Sequence, residues 1–252
     1  FLDLRSLYNC SQVSRKFNQI AKDPLLYVEV NLKAYWHLAD SSLMKSLNYR
    51  CKLIRKLDLS SCGYFNAITA EDFNTFLLLN GKSLTNLRLN STQFMNSIIL
   101  QTIGFKCENL IELAVRNYSN VTVSHDFMSI SLLRKLEVLD LTRSGIESYA
   151  LLSLIQKNEN LTHLYLAFNN QLNVDQVCIQ LATYCQNLRV LDIWKCNNLT
   201  TNGLRAISSC ERLEIFDLGW NLREEGHITD TFKLLIQNCQ NLRRIVLAAV
   251  RG

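Results

Sequence analysis

One hydrophobic pattern recurs along the chain at near-constant spacing, and it limits the fold more than any other feature. The segments ENLTHLYLAFN, QNLRVLDIWKC, ERLEIFDLGWN and QNLRRIVLAAV each place apolar residues in the order apolar-x-x-apolar-x-apolar. The middle apolar position falls at Leu57, Leu87, Leu113, Leu139, Leu164, Leu191, Phe216 and Ile245. The steps between them are 30, 26, 26, 25, 27, 25 and 29 residues. An earlier copy reads as Leu25, Val28 and Val30, with its middle position 29 residues before Leu57. Nine units with a period near 26 therefore account for most of the 252 residues.

The physics of one unit follows from its spacing. The alternating part predicts a short strand with one buried face. About ten residues later the spacing becomes helical, as at Leu172, Val177 and Leu181, or Leu199, Leu204 and Ile207. No unit of strand, turn and helix can bury its own apolar face, so the units must stack. The expected fold is an α/β solenoid, with a parallel sheet lining the inside of an arc and helices outside. The residues between the anchors then form the concave face. From the sixth unit onward that face turns aromatic, with His163, Tyr165, Phe168, Asp192, Trp194, Lys195, Asp217, Trp220 and Arg244. Aromatic residues interleaved with charge are what binding hot spots are made of. Alternatively, Trp194 and Trp220 cover neighbouring strands. Recurrent Asp at one slot (Asp58, Asp140, Asp192, Asp217) also reads as a habit of the repeat, each pairing with a neighbouring strand.

Composition supports this reading and excludes others. Eight of the nine Cys sit in the periodic scheme, and Cys10 alone stands outside it. Cys51, Cys107, Cys185, Cys210 and Cys239 each precede the first anchor of a unit by three residues, and Cys62 and Cys196 follow it by eight. Cys178 falls on a helical stripe. Buried repeat-core thiols imply a reducing compartment and no disulfides, and no CxxC or HxxxH spacing points to zinc. Residues 1–60 carry ten Lys/Arg against five Asp/Glu and so supply the whole net charge of +5; the remainder holds seventeen of each sign. Nucleic acid is therefore not an expected partner. No apolar run is long enough for a transmembrane segment. Six N-x-S/T sequons occur, but glycans at Asn90 and Asn117 would block the concave face, so they are read as accidental. NGKS at Asn80–Ser83 lacks the earlier Gly of a phosphate loop, Phe76 standing in its place. His37, His125, His163 and His227 show no catalytic arrangement. No cofactor or catalytic role is expected.

The cysteine-bearing repeat CQNLRVLDIWKCNNLTTNGLRAIS resembles that of the F-box/leucine-rich-repeat family. Cys62, Asn169, Cys196 and Asn221 occupy the Asn/Cys slot of its turns. The opening LRSLYNCSQVSRKFNQIAKDPLLYVEV resembles the second half of an F-box, through Val13–Asn18, then Asp23, Pro24, Leu25 and Tyr27. Leu4, Leu7, Val13, Phe17 and Ile20 recur at helical spacing, which predicts a buried stripe. AYWHL, SYALLSLI and LDIWKC point to one lineage of that family. The expected division is a partial F-box over 1–27 and about nine repeats over 28–252, in a fragment cut at both ends. The resemblance implies a non-catalytic substrate receptor of an SCF-type (Skp–cullin–F-box) ubiquitin ligase, directing targets to ubiquitination and degradation. Leu7, Val13, Phe17 and Tyr27 would meet the Skp adaptor, which bridges to cullin, and the concave residues above would hold the target. Alternatively Leu7, Val13, Phe17 and Tyr27 pack the F-box onto the first repeat, or the chain is an interaction scaffold without a ligase role. A cytoplasmic, mitochondrion-associated or nuclear location is implied. Two units carry extra residues between strand and helix, at Gly63–Ala67 and Leu222–His227; the second, acidic loop is the preferred contact because it follows Trp220.

Overall fold

The computed structural model describes residues 4–118, 126–221 and 228–248. Nine three-residue strands form one parallel sheet whose spatial order is the chain order, β1 (Glu29–Asn31), β2 (Lys56–Asp58), β3 (Asn86–Arg88), β4 (Glu112–Ala114), β5 (Val138–Asp140), β6 (His163–Tyr165), β7 (Val190–Asp192), β8 (Ile215–Asp217) and β9 (Arg244–Val246). The middle anchors pair directly across the sheet, from Val30–Leu57 through to Phe216–Ile245. One register places every leucine over the next, which is why the core is a single continuous cluster.

That register corrects the first unit. Val30, not Val28, aligns with Leu57. The three anchors are therefore Tyr27, Val30 and Leu32, all buried, and the repeat array begins inside the segment assigned to the F-box.

The outer layer starts with α1 (Leu4–Val13) and α2 (Arg15–Ile20), followed by α3 (Ser41–Arg50), α4 (Ala70–Asn80), α5 (Ser97–Lys106), α6 (Ser148–Lys157), α7 (Val174–Tyr184), α8 (Thr201–Ile207) and α9 (Ile228–Asn238). Between β4 and β5 the described outer element is a 3₁₀ segment, Asp126–Leu132, in place of the expected α-helix. Most helices start at a side-chain cap: Asp40, Thr69, Asn96, Asn173 and Thr200 accept from backbone N–H groups of the first turn. Cys51, Cys107 and Cys185 are the residues closing α3, α5 and α7, their N–H groups bonding Leu47, Ile103 and Leu181. The buried Cys185 thiol donates to the Asn158 carbonyl of the preceding unit at 3.5 Å, and the Cys239 thiol to that of Cys210 at 3.4 Å. All nine cysteines are free, eight are buried and Cys10 is half-buried. Burial pushes the Cys51, Cys107, Cys185, Cys196 and Cys210 thiols up to about 12, so they stay protonated and unreactive.

The turn after each strand has a backbone signature. Ser61, Ser91, Asn117, Arg143, Phe168, Lys195 and Trp220 all have φ between 52° and 65°, each four residues after its middle anchor. Left-handed backbone costs a non-glycine residue about 1–2 kcal/mol. Cross-unit hydrogen bonds hold it: the N–H of each of these residues donates to the next unit, as Phe168 does to Trp194 at 2.8 Å and Trp220 to Ala248 at 2.8 Å. Beneath this turn lies the Asn/Cys slot. Buried Asn169 accepts from Ser144 and Gly145 N–H and donates to the Leu141 and Leu166 carbonyls. Cys196 fills the same slot and donates to the Leu166 carbonyl at 3.0 Å. Asn169→Ala should cost about 2–4 kcal/mol in chemical denaturation. Asn169→Cys should recover part of it, because this chain already uses Cys there.

Candidate functional site

The concave face divides at Tyr165. Over the earlier strands its charges, Asp58 excepted, are neutralised across the sheet. Lys56 pairs with Glu29 at 2.6 Å, Glu112 takes both Asn86 (2.7 Å) and Arg88 (2.5 Å), and Arg116 pairs with Asp140. The Arg116 guanidinium also lies 5.9 Å from the Tyr165 ring. Beyond Tyr165 the ion pairs lie at the strand entrances, where Glu214 meets Arg189 at 3.5 Å and Arg243 at 4.0 Å, and the strand aspartates take no part in them. Asp192 and Asp217 face each other in register on β7 and β8, and among the described residues neither has a basic group within ion-pair distance. Burial, with Asp217 and Asp140 nearby, raises the Asp192 carboxyl above its ordinary range.

The recurrent Asp has a local cause different from the one expected. Each uses Oδ1 to accept the N–H two residues ahead: Asp58 from Ser60 (2.9 Å), Asp140 from Thr142 (3.2 Å), Asp192 from Trp194 (3.0 Å) and Asp217 from Gly219 (3.1 Å). These bonds shape the turn leaving the strand. Only Asp140 of the four also forms a cross-strand ion pair among the described residues.

Four of the expected target-binding residues form one cluster at the strand ends. Lys195 Nζ lies 4.8 Å from the Trp194 ring, 4.9 Å from Trp220 and 5.6 Å from Phe168. Phe168 and Trp194 meet edge to face at 4.6 Å. Phe168, Lys195 and Trp220 hold the left-handed turn position of successive units. Their side chains therefore leave at the same angle and stack along one rim, with Trp220 53% exposed. Trp194 is half-buried and does cover a neighbouring strand: a methyl group on Gly219 would sit 2.6 Å from its indole. The same ring meets Phe168 and Lys195 on the rim.

The other candidates lie nearby but outside the cluster. His163 and Tyr165 are half-buried on β6; burial, then Arg189, lowers the His163 pKa, which keeps the ring neutral at physiological pH. Arg244 is exposed on β9. The preferred loop at Leu222–His227 lies outside the described residues. The other long loop does protrude: Phe65 is 97% exposed at φ 55°. Sequence reasoning named that loop but not this ring, for which only the unit's extra length was a signal.

The F-box segment departs from the buried stripe. Leu7 and Tyr27 are buried, but Val13 is 70% and Phe17 48% exposed, and Ile20 is exposed too. For Phe17 and Ile20 the cause is a break at Ser14, whose hydroxyl caps α2 by accepting the Phe17 N–H at 3.2 Å. The helix restarts there, which swings the later apolar residues outward. Leu7 and Tyr27 are thus withdrawn from any adaptor surface. Tyr27 closes the core, donating to the Ala21 carbonyl at 2.7 Å. Among the described residues no group of His, Cys, Asp and Glu could hold a metal, and no helix is long and apolar enough to cross a membrane.

An F-box-like segment leading directly into a leucine-rich-repeat arc is the architecture these residues build, and the comparisons agree. Residues 1–33 match the F-box-like family model. Over its whole length the chain is 32% identical to F-box/LRR-repeat protein 4 of Bos taurus, of which it spans 40%. The resemblance to the F-box/leucine-rich-repeat family is thus found along the entire chain. The fold is similar to a chain in the crystal structure of the Rad7 and Elc1 complex in yeast, with TM-score 0.50 and 16% identity over 98% of this chain and 74% of that one. It is also similar to the leucine-rich repeat-containing protein LegL7 of Legionella pneumophila, with TM-score 0.52 and 13% identity over 98% and 81%.

Two outcomes test the site's physics. Gly219→Ala should displace the Trp194 indole, seen as a shift in tryptophan fluorescence and a loss of about 1 kcal/mol or more. Asp192→Asn keeps the acceptor for Trp194 and removes the charge. A carboxyl with a raised folded pKa destabilises the fold when ionised, so the variant should melt higher than wild type at pH 7. The gain should fade as pH falls toward the usual Asp value of 3.8.

Proposed function

We propose that this chain is the adaptor-binding and target-binding part of a substrate receptor in an SCF-type ubiquitin ligase. The observation that carries the reading is the joining of an F-box-like segment at residues 1–33 to a nine-strand repeat arc. We assign the F-box-like segment to residues 1–27 and the repeats to 28–252, sharing Tyr27 as the joint. Val13 and Phe17, with Ile20 beside them, form the face offered to the Skp adaptor, and the adaptor bridges to cullin. An exposed apolar stripe on a short helix pair is suited to burial by a partner.

The target binds the concave surface beyond Tyr165, on Phe168, Trp194, Lys195 and Trp220, with His163, Tyr165, Asp192, Asp217 and Arg244 around them. Exposed aromatics beside unneutralised carboxylates support this placement. The receptor performs no covalent chemistry; it raises the effective concentration of a target's lysines at the conjugating enzyme, and the marked target is degraded. Buried, protonated thiols fit a cytoplasmic or nuclear setting, and association with mitochondria comes from the family likeness.

Co-purification with a Skp adaptor and cullin tests the ligase reading. Phe17→Ala with Val13→Asp should weaken adaptor binding by about thirtyfold or more without loss of the fold, since both side chains are exposed. Failure of the unaltered protein to bind adaptor or cullin would leave a repeat scaffold without a ligase role.

A further inference from the structure

The fold contains a cavity that the reading above does not use. It lies where the first half of α1 meets the first repeat, and its volume is about 680 Å³, within the range of small-molecule sites, about 300–1,000 Å³. Leu4 of α1, Leu38, and Leu43 and Leu47 of α3 supply an apolar lining, and Arg5 and Arg50 supply charge. No Asp or Glu lines the cavity. Among the described residues neither guanidinium has a carboxylate within ion-pair distance. Elsewhere on the early strands Arg88 and Arg116 are both neutralised by carboxylates.

Arg50 is held in place. Its Nη1 donates to the Tyr27 hydroxyl at 3.1 Å, and the guanidinium lies 6.0 Å from the Tyr27 ring centroid. Tyr27 is itself fixed by donating to the Ala21 carbonyl. The remaining guanidinium donors are left for a ligand, and a guanidinium fork matches a carboxylate. The exposed apolar stripe of Val13, Phe17 and Ile20 belongs to the end of α1 and to α2, so adaptor binding and this cavity use different parts of the segment.

We propose that this cavity binds a small amphipathic carboxylate, its apolar body against Leu38, Leu43 and Leu47 and its anionic head on Arg50 and Arg5. The occupant is set by charge complementarity: an apolar chamber with two unpaired cations at its edge disfavours a cationic amphipath and gives a neutral one no reward for reaching the guanidinium groups.

Titration calorimetry with dodecanoate, below its micelle concentration, tests this on the whole chain. One molecule should bind per chain, while dodecylammonium and acetate should each bind at least tenfold more weakly. Arg50→Gln should weaken dodecanoate by about tenfold or more. Arg5→Gln and Leu38→Glu alter exposed side chains, so they report on the site even where Arg50→Gln fails to fold. Equal binding of dodecanoate and dodecylammonium, affinity unchanged in both Arg5→Gln and Leu38→Glu, or no dodecanoate binding would each overturn the proposal.

Discussion

A three-residue strand has no stability of its own, and everything in this structure depends on the ladder that joins it to its neighbours. The parallel bonds continue past each strand into the turn, where the left-handed residue donates to the next unit. Seven non-glycine residues accept this backbone because their N–H groups gain a partner that no other local geometry provides. The Asn/Cys slot beneath them ties up the remaining backbone groups of the turn. Side-chain directions on the rim are therefore a property of the stack, set by bonds to the following unit and only secondarily by the residue at the position.

This explains why the rim can become a site. Where the left-handed position holds Ser61, Ser91 or Asn117, it forms a plain turn. Where it holds Phe168, Lys195 and Trp220, the same backbone projects three large side chains in parallel, and Trp194 from the adjacent row fills the space between them. Gly219 makes this possible by leaving room for the indole on the next strand. An aromatic surface thus arises from four substitutions on an unchanged frame, which is how repeat arrays vary their binding faces without altering their core.

The period, the strand register and the placement of eight cysteines were legible in the amino-acid sequence because burial dictates them: a leucine every unit, always on the same face, admits one stacking. The first unit lies two residues later than its spacing suggests because its leading anchor is Tyr27, an aromatic that also closes the F-box pattern. The stripe from Leu4 to Ile20 has helical spacing throughout, which predicts burial along its whole length. Hydrophobic spacing does not register that a serine can stop one helix and cap the next. The role of the aspartates was open for a similar reason. An Asp that bonds its own backbone and one that pairs across a sheet look the same in sequence, and only Asp140 does both.

Tyr27 links the two halves more tightly than a linker would. Its ring is the first anchor of the repeat core, its hydroxyl holds Ala21 just after α2, and Arg50 from α3 bonds that same hydroxyl. Backbone bonds from Arg55 and Lys56 to the Val28 carbonyl begin the ladder only one residue later. The exposed Val13–Phe17 face is thereby fixed relative to the first strands, and each later strand is fixed by the one before. For a receptor this rigidity has a direct consequence. A target held at Trp194 and Trp220 would keep a set distance and direction from the adaptor, and effective concentration is highest when the span is matched and not averaged over a flexible tether. The single proline, Pro24, fits the same economy of motion: it starts the short turn that Asp23 caps by accepting the Leu25 N–H, and so stiffens the stretch between α2 and β1.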